Sequence, residues 1–193
     1  FFINLFYLPD VIRNYFGDGS GFGVKINYVL EEPEIRGTAG GVKNFSEQLG
    51  ENFFVIYGDV FSRVDYSKMA GAFFGKGGAI GMELVGDTDH PEDSDLVEID
   101  DDLMFLKIHQ KPHKQLPENY KSMRGMFIFN KSILRYIPPI GEYYEIDHQL
   151  LPDVLAKGEK FYGYETNDYL YDIGTIERYR QVEEYAKKNR PEN

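Results

Sequence analysis

The stretch of sequence that decides the fold reads Asn52-Phe53-Phe54-Val55-Ile56-Tyr57-Gly58-Asp59. Residues 53–57 are all aliphatic or aromatic, and a short continuous apolar run of this kind is typical of a strand buried on both faces. Such strands occur mainly in parallel sheets that are covered by helices. We therefore predict that this strand lies inside an α/β sheet and that Asp59 follows at its carboxyl end.

The segments around this strand alternate between strand and helix patterns. Before it, residues 1–6 and 25–30 are predicted strands, while residues 9–16 and 38–49 are predicted helices. After it, helices are predicted at 65–74, 146–156 and 175–188, and short strands at 79–85, 122–130, 161–164, 168–171 and twice within 95–111. This alternation indicates the α/β class, with a mostly parallel sheet that becomes mixed in the later half. No repeat or linker divides residues 1–193, so we expect one domain.

The composition excludes several classes of partner and site. The net charge of -11 disfavours binding to nucleic acid or to anionic lipid. No apolar run is long enough to cross a bilayer. The absence of cysteine rules out disulfides and thiolate metal sites, and it fits a reducing compartment. We therefore expect a cytoplasmic domain that binds a small molecule. If that substrate is anionic, a local cation or a metal has to offset the negative charge of the protein.

Two aspartates follow predicted strands and could hold a metal. Asp59 comes directly after Gly58, and Asp172 lies in Tyr171-Asp172-Ile173-Gly174-Thr175. In open α/β sheets ligands bind at the carboxyl ends of strands, and Mg²⁺ commonly takes one or two carboxylates. If Asp59 and Asp172 converge, they form such a site. The alternative for each is a turn or helix-cap role, for which Thr175 is the better candidate at the second position.

Two further elements could bind anionic groups. Gly37, Thr38 and Ala39 open a predicted helix, where small residues can present backbone N–H groups to an anion or a flat base. Lys111, at a predicted strand end, could hold a phosphate as a point charge. Each signal is weak alone, because glycine-rich helix starts and solvated lysines at strand ends are both common.

In their order and spacing, these elements resemble the sugar-1-phosphate nucleotidyltransferases, and most of all the mannose-1-phosphate and heptose-1-phosphate guanylyltransferases. The matching motifs are Tyr28-Val29-Leu30-Glu31 with Gly37-Thr38-Ala39-Gly40, Tyr57-Gly58-Asp59, Gln110-Lys111-Pro112 and Asp172-Ile173-Gly174-Thr175. The resemblance extends over nearly the whole chain. It implies a Rossmann-like mixed sheet flanked by helices, and a reaction that joins a nucleoside triphosphate to a sugar 1-phosphate.

The resemblance also implies roles for individual residues. Asp59 and Asp172 would hold Mg²⁺, and Lys111 would hold the sugar phosphate. The implied nucleotide-binding residues are Glu31, Gly37, Thr38, Ala39 and Gly58, and the implied sugar contacts are Gly125, Glu145 and Asp147. A carboxylate at Glu31 could accept two hydrogen bonds from guanine, which favours GTP.

Several departures from the family pattern bear on activity. Gln110 stands where the family has Glu, and Met123 and Arg124 replace the Asn and Ala of its sugar-contacting "NAG". The resemblance therefore does not identify the sugar. The family's Gly-rich phosphate loop precedes the stretch with which this chain begins. The resemblance therefore predicts an N-terminally incomplete domain with impaired activity and an exposed sheet edge. Such an edge favours association, so a homo-oligomer is an open alternative to a monomer.

Other functions compete with this interpretation. The chain could be a non-catalytic regulatory module that binds a nucleotide or sugar. A metal-dependent glycosyltransferase is disfavoured, because Val60 and Phe61 follow Asp59 where a second aspartate would be expected. The four histidines lack metal-binding spacing. The tyrosines 162, 164, 169 and 171 could stack on a sugar, although core packing is the commoner role.

Overall fold

A computed structural model describes residues 1–189, and its chain folds into two compact units. The first unit contains residues 1–51 and 131–158, and the second contains residues 52–130 and the chain from residue 159 onward. Each unit is thus made of two chain segments. Both contain strands and helices, which confirms the α/β class. The last four residues of the predicted 1–193 domain lie outside the described residues. Within residues 1–189, no helix is both long and apolar enough to cross a membrane.

The first unit is built on a strand–helix–strand motif, as predicted. Strand β1 (Phe2–Leu5) pairs in parallel with β2 (Asn27–Leu30), and helix α1 (Pro9–Phe16) connects them. Helix α2 (Gly37–Lys43) follows. The second segment of the unit adds a 3₁₀ turn, a π-helical turn and helix α4, at Lys131–Tyr136, Ile146–Leu150 and Leu151–Ala156.

Helix α2 (Gly37–Lys43) is shorter than the predicted 38–49, and a network of side-chain hydrogen bonds surrounds Asn44, the residue that follows it. The Asn44 side chain accepts a hydrogen bond from Arg36 Nη1 at 2.8 Å and donates to Glu31 Oε1 at 3.3 Å. It also donates to the Asn4 side chain at 3.1 Å. The network therefore fixes the end of α2 against the β2–α2 connection.

The second unit is organised around one long strand. The strands are β3 (Asn52–Ile56), β4 (Val60–Ser62), β5 (Gly81–Gly86), β6 (Leu96–Ile99), β7 (Phe105–His109), β8 (Tyr120–Asn130), β9 (Phe161–Tyr164) and β10 (Leu170–Asp172). Strand β8 pairs with β5 along one edge, and with β6 and then β3 along the other. Strands β4 and β10 form a separate antiparallel pair. Helices α3 (Tyr66–Gly75) and α5 (Ile176–Lys188) complete the unit.

The sheet is mixed, as predicted, but its parallel share is smaller than expected. Of the strand pairs within residues 1–189, β1–β2 and β5–β9 are parallel and the other five are antiparallel. Strand β3 was expected to be buried on both faces in parallel surroundings. Instead it runs antiparallel to β8, its residues are half-buried, and Ile56 is 41% exposed. Among the described residues β8 is its one strand partner, so no strand pairs with its other edge there.

Helix α5 buries only some of its apolar side chains. Val182 is buried, but Ile176 and Tyr179 are exposed. The ring of Tyr185 instead stacks on Tyr169, with centroids 3.6 Å apart. Tyr162 is also buried, in the hydrophobic core of this unit. These contacts are consistent with core packing rather than sugar stacking for these two members of the tyrosine group.

Candidate functional site

The strand pair β4–β10 brings the two candidate metal ligands together. Asp172 pairs with Val60 in the antiparallel register, and the amide of Ile173 donates to the carbonyl oxygen of Asp59 at 2.7 Å. The backbones of Asp59 and Asp172 are therefore neighbours, although the two residues are far apart in sequence. Strand β4 was not predicted, because three residues are too few to show a pattern.

The two carboxylates have different surroundings. Asp59 is exposed, and within residues 1–189 its side chain makes no hydrogen bond. Asp172 is 48% exposed, and both of its oxygens contact Nη1 of Arg178, at 2.6 and 2.8 Å. Its Oδ1 also accepts the amide of Gly174 at 3.2 Å. One carboxylate is thus available to a ligand, while the other is held by a guanidinium.

This donor set fits Mg²⁺. Two carboxylates supply hard oxygen ligands, and Mg²⁺ normally completes its shell with water and substrate phosphates. Within the described part of the chain, no group of three or more His, Asp or Glu side chains could hold a metal by itself. A metal here would therefore depend on Asp59, Asp172 and the substrate.

The helix that follows Asp172 begins with the predicted cap. Thr175 Oγ1 accepts the amide of Arg178 at 3.2 Å, as an N-cap residue should. Because Thr175 fills this role, capping does not account for the position of Asp172. The same Arg178 donates its amide to the cap and its guanidinium to Asp172.

Gly125, the predicted sugar contact, lies where no side chain fits. Its φ is +65°, and a Cβ would lie 2.5 Å from the ring of Tyr57. Its carbonyl oxygen accepts the amide of Tyr57 at 3.0 Å. Since Tyr57 immediately precedes Gly58 and Asp59, this close packing joins the sugar-contact glycine to the strand end that carries the candidate metal ligand.

Glu83 fixes the backbone at Gly125. This carboxylate is 0% exposed, and its Oε1 accepts the amides of Arg124 at 3.1 Å and Gly125 at 3.2 Å. The register between β5 and β8 shifts here, between the pairs Glu83–Phe127 and Val85–Met123. An extra residue in a strand leaves amides outside the ladder. The Glu83 side chain takes up two such amides.

A polar cavity lies beside this bulge. It has a volume of about 390 Å³, and its walls include Gly86, Asp87, Arg124, Glu165 and Asn167. The Nζ of Lys121 lies 2.9 Å from Oδ1 of Asp87 and 2.6 Å from Oε1 of Glu165, so this ammonium links two of these residues. The hydrogen bonds to Glu165 and Asp87 raise the pKa of Lys121. The walls offer charged and amide groups that suit a hydroxylated ligand.

Lys111 lies in the same unit and is exposed. Its Nζ donates to the carbonyl oxygen of Asp93 at 2.9 Å, and its amide donates to Asp95 Oδ1 at 3.0 Å. An ammonium has three donors, so this contact leaves capacity for a phosphate. The structure thus places the lysine at the end of β7, where the sequence predicted a strand end.

The predicted base-binding element belongs to the first unit, and its amides are already used. Thr38 donates both its amide, at 3.2 Å, and its Oγ1, at 2.7 Å, to Glu145 Oε2. The amides of Ala39 and Gly40 donate to the carbonyl oxygen of Tyr144. In this structure the helix start does not present these N–H groups to a ligand. The packing of Gly37, Thr38 and Ala39 on a base stays a prediction.

Gly37 has a structural reason to be glycine. Its φ is +73°, and a Cβ there would lie 2.7 Å from the carbonyl oxygen of Tyr144. A side chain would therefore push the start of α2 away from the 144–146 segment. The glycine permits the close approach by which Glu145, a predicted sugar contact, reaches Thr38. Asp147 follows in the adjacent π-helical turn and is half-buried.

Glu31, the predicted contact to the base edge, is 1% exposed. Its Oε2 accepts the amide of Arg36 at 3.0 Å, and its Oε1 accepts from Asn44. In this structure the carboxylate stabilises the connection between β2 and α2. Contact with a base would add to these bonds or replace them, so this role also stays a prediction.

We expect the Glu145 carboxylate to make the stability of the protein pH-dependent. Burial raises the pKa of Glu145, but the hydrogen bonds from Tyr143 and Thr38 outweigh this, so the pKa lies below its ordinary 4.5. A carboxyl group whose pKa is lower in the folded state than in the unfolded state stabilises the fold at pH values above the unfolded-state pKa. This stabilisation is lost as the pH falls through the folded-state pKa. We expect Glu145→Gln to flatten the loss of stability on going from about pH 5 to about pH 3. Denaturant unfolding at stepped pH measures this.

The exposed Glu142 provides the control for this prediction. Glu142→Gln removes a carboxylate three residues away, and it should leave the pH profile of unfolding close to that of wild type. Equal slopes for Glu145→Gln and wild type over this range would contradict the assignment.

Sequence reasoning did not identify Arg178 and Glu83, although both carry a signal. Arg178 is a basic residue in the first turn of a helix, where the helix dipole favours acidic residues. Glu83 is an acidic residue in the middle of the apolar strand Gly81–Gly86. Each violates a local preference, and each turns out to be paired with a group at the candidate site.

Comparison with known proteins confirms the family resemblance. Residues 1–189 match the family model for nucleotidyl transferases. Mannose-1-phosphate guanylyltransferase of Mycobacterium tuberculosis (strain ATCC 25618 / H37Rv) is 30% identical over 173 residues, which cover 89% of this chain and 47% of that protein. UTP–glucose-1-phosphate uridylyltransferase of Synechocystis sp. (strain ATCC 27184 / PCC 6803 / Kazusa) is 27% identical over 198 residues, covering 93% and 49% respectively. The chain therefore spans about half the length of these relatives.

A solved structure supports the fold. The crystal structure of HddC from Yersinia pseudotuberculosis superposes with a TM-score of 0.72 at 23% identity, covering 95% of this chain and 77% of that one. At this identity the likeness concerns the architecture alone. It confirms the predicted fold class, a mixed sheet flanked by helices.

Proposed function

Because this chain belongs to the nucleotidyl transferase family, we propose that the protein containing it joins a nucleoside triphosphate to a sugar 1-phosphate. The products would be a nucleotide sugar and pyrophosphate. The observation that carries the proposal is the neighbouring position of Asp59 and Asp172 at one end of the strand pair β4–β10, with a donor set that suits Mg²⁺. The relatives' names agree with this reaction class.

The reaction is an in-line displacement. An oxygen of the sugar 1-phosphate attacks the α-phosphorus of the triphosphate, the bond to the β-phosphate oxygen breaks, and pyrophosphate leaves. Such chemistry depends on positioning and charge stabilisation and requires no protein nucleophile. Mg²⁺, when held by Asp59 and Asp172, would orient the reactants and neutralise phosphate charge.

The remaining residues would bind and orient the substrates. Lys111 would hold the sugar phosphate through its remaining ammonium donors. Gly125 would let the sugar approach the backbone that Glu83 fixes, and the cavity beside Arg124 is our candidate for the sugar ring. The proposed nucleotide contacts are Glu31, Gly37, Thr38, Ala39 and Gly58, and the further proposed sugar contacts are Glu145 and Asp147.

We propose GTP as the preferred nucleotide. The mycobacterial relative is named as a guanylyltransferase, whereas the cyanobacterial one is named for UTP. Glu31 is an acceptor of hydrogen bonds in the predicted base-binding element, and guanine offers two hydrogens to a carboxylate. A cytoplasmic setting belongs to the same proposal and rests on the absence of cysteine.

Pyrophosphate release tests this function. The protein that contains this chain would be incubated with Mg²⁺, one of GTP, UTP or ATP, and mannose, heptose or glucose 1-phosphate. We expect pyrophosphate only when both substrates are present, fastest with GTP. If a nucleotide or sugar binds without pyrophosphate release, a regulatory module is favoured instead. Hydrolysis of a preformed nucleotide sugar to free sugar would favour a glycosyltransferase.

A further inference from the structure

The guanidinium of Arg178 forms an ion pair with Asp172, one of the two carboxylates that the proposed metal needs. A single guanidinium nitrogen, Nη1, lies 2.6 Å from Oδ1 and 2.8 Å from Oδ2 of Asp172. Both oxygens therefore face a positive charge. Asp59, the other candidate ligand, has no such partner among residues 1–189. A cation could therefore bind Asp59 directly, whereas at Asp172 it would compete with a guanidinium.

The position of Arg178 on its helix is unfavourable unless it serves this contact. Its amide donates to the Thr175 cap, so it lies in the first turn of α5, at the positive end of the helix dipole. Arg180, on the same helix, is exposed and has no ion pair within the described residues. The ion pair with Asp172 offsets the repulsion between the Arg178 guanidinium and the positive end of the helix dipole.

We propose that Arg178 is a counter-ion that competes with the divalent cation for Asp172. This inference rests on the proposed function, because it takes Asp172 as a cation ligand. A cation that binds the same oxygens brings a second positive charge beside the guanidinium, so Arg178 has to turn away from the carboxylate. In the absence of cation, the pair neutralises Asp172 and holds the start of α5 next to β10.

The competition has a consequence for how the cation arrives. Mg²⁺ gives up its water ligands reluctantly and binds proteins best together with substrate phosphates. A free cation has to displace Arg178 with the help of Asp59 alone, whereas a cation that is already bound to a triphosphate brings its own phosphate ligands and their negative charge. Arg178 therefore weakens the binding of free cation and favours loading of the site by the cation–nucleotide complex.

Manganese binding without nucleotide tests the role of Arg178. Mn²⁺ accepts the same oxygen ligands, and its free ion is measured by electron paramagnetic resonance. We expect Arg178→Met and Arg178→Gln to tighten Mn²⁺ binding by about two- to fivefold, the range expected when one exposed ion pair is removed. Arg180→Met is the matched control, since it removes the same charge from the same helix, and it should change the affinity much less.

A double-mutant cycle shows whether the effect passes through Asp172. With Asp172→Asn as background, adding Arg178→Met should no longer tighten binding, because the shared ligand is gone. Thermal unfolding of each variant checks that it is folded, and the Gln variant provides a second test should Met perturb the helix.

Several outcomes would overturn the inference. These are unchanged or weaker Mn²⁺ binding in both Arg178 variants, equal tightening by Arg180→Met, persistence of the effect in the Asp172→Asn background, or no Mn²⁺ binding at all. Pyrophosphate release by the wild-type protein separates the two proposals. Release without tightening in the Arg178 variants rejects the counter-ion role alone, and tightening without release rejects the proposed reaction alone.

Discussion

Glu83→Ala is expected to lower the free energy of unfolding by about 3 kcal/mol, because it leaves the buried amide of Gly125 and the partly buried amide of Arg124 without their acceptor. The carboxylate is fully buried and accepts from Arg124 and Gly125 at the point where the β5–β8 register shifts. Each buried donor that loses its partner costs about 1–3 kcal/mol. The alanine also leaves a cavity in a packed region.

Denaturant unfolding measures this loss, and two variants define its cause. Glu83→Gln keeps a side-chain oxygen that can accept from the same amides, so we expect it to lose less than half as much. Glu92→Ala removes an exposed carboxylate from the 3₁₀ turn at Pro91–Asp93 and should stay within about 0.5 kcal/mol of wild type. A Glu83→Ala protein as stable as the Glu92→Ala control would show that the two amides find other acceptors.

Asp59→Asn is expected to lower the rate of pyrophosphate release by about a hundred- to a thousandfold, which is typical when one preorganised charge-stabilising group is lost. An amide is a weaker ligand for Mg²⁺ than a carboxylate, so the variant should lose metal orientation and charge neutralisation together. Because Asp59 is exposed and makes no side-chain hydrogen bond within residues 1–189, its removal should leave folding intact. Large loss of activity with little loss of stability is the expected pattern.

Initial rates at saturating Mg²⁺ and both substrates give the activity, and thermal unfolding gives the stability. Asp101→Asn, in the acidic turn between β6 and β7, makes the same change of charge at an exposed position and should retain nearly full activity. If Asp59→Asn and Asp101→Asn are equally active, the metal is not held at Asp59.

The fold class was predictable because local patterns and tertiary contacts agree over most of the chain. The apolar run ending at Tyr57 forms a strand, Pro9–Phe16 is a helix with the predicted bounds, and Thr175 caps α5 as expected. Which strands pair, and in which direction, was harder to predict from the sequence. Strand β8 is long enough to pair with β3, β5 and β6, all antiparallel, and nothing in its sequence identifies those partners.

The candidate site was predictable to a similar degree. Asp59 and Asp172 were singled out because each follows a strand, but the two strands that bring them together include β4, which is too short to recognise. The hydrogen bonds of Glu31 and Thr38 depend on Asn44 and Glu145, which are distant or unremarkable in sequence. Arg178 and Glu83 could have been found as residues that oppose their local environment. Such conflicts between local preference and position are often resolved at functional sites.

The division of each unit into two chain segments has a consequence for folding during synthesis. Strand β5 needs β9 as its parallel neighbour, pairing Gly81 with Phe161, and the second segment of the first unit is made between them. Pairings between residues so distant along the chain form slowly. The ribosome therefore releases β5 long before its partner exists, and that edge of the nascent sheet stays open to other strands until residues 161–164 emerge.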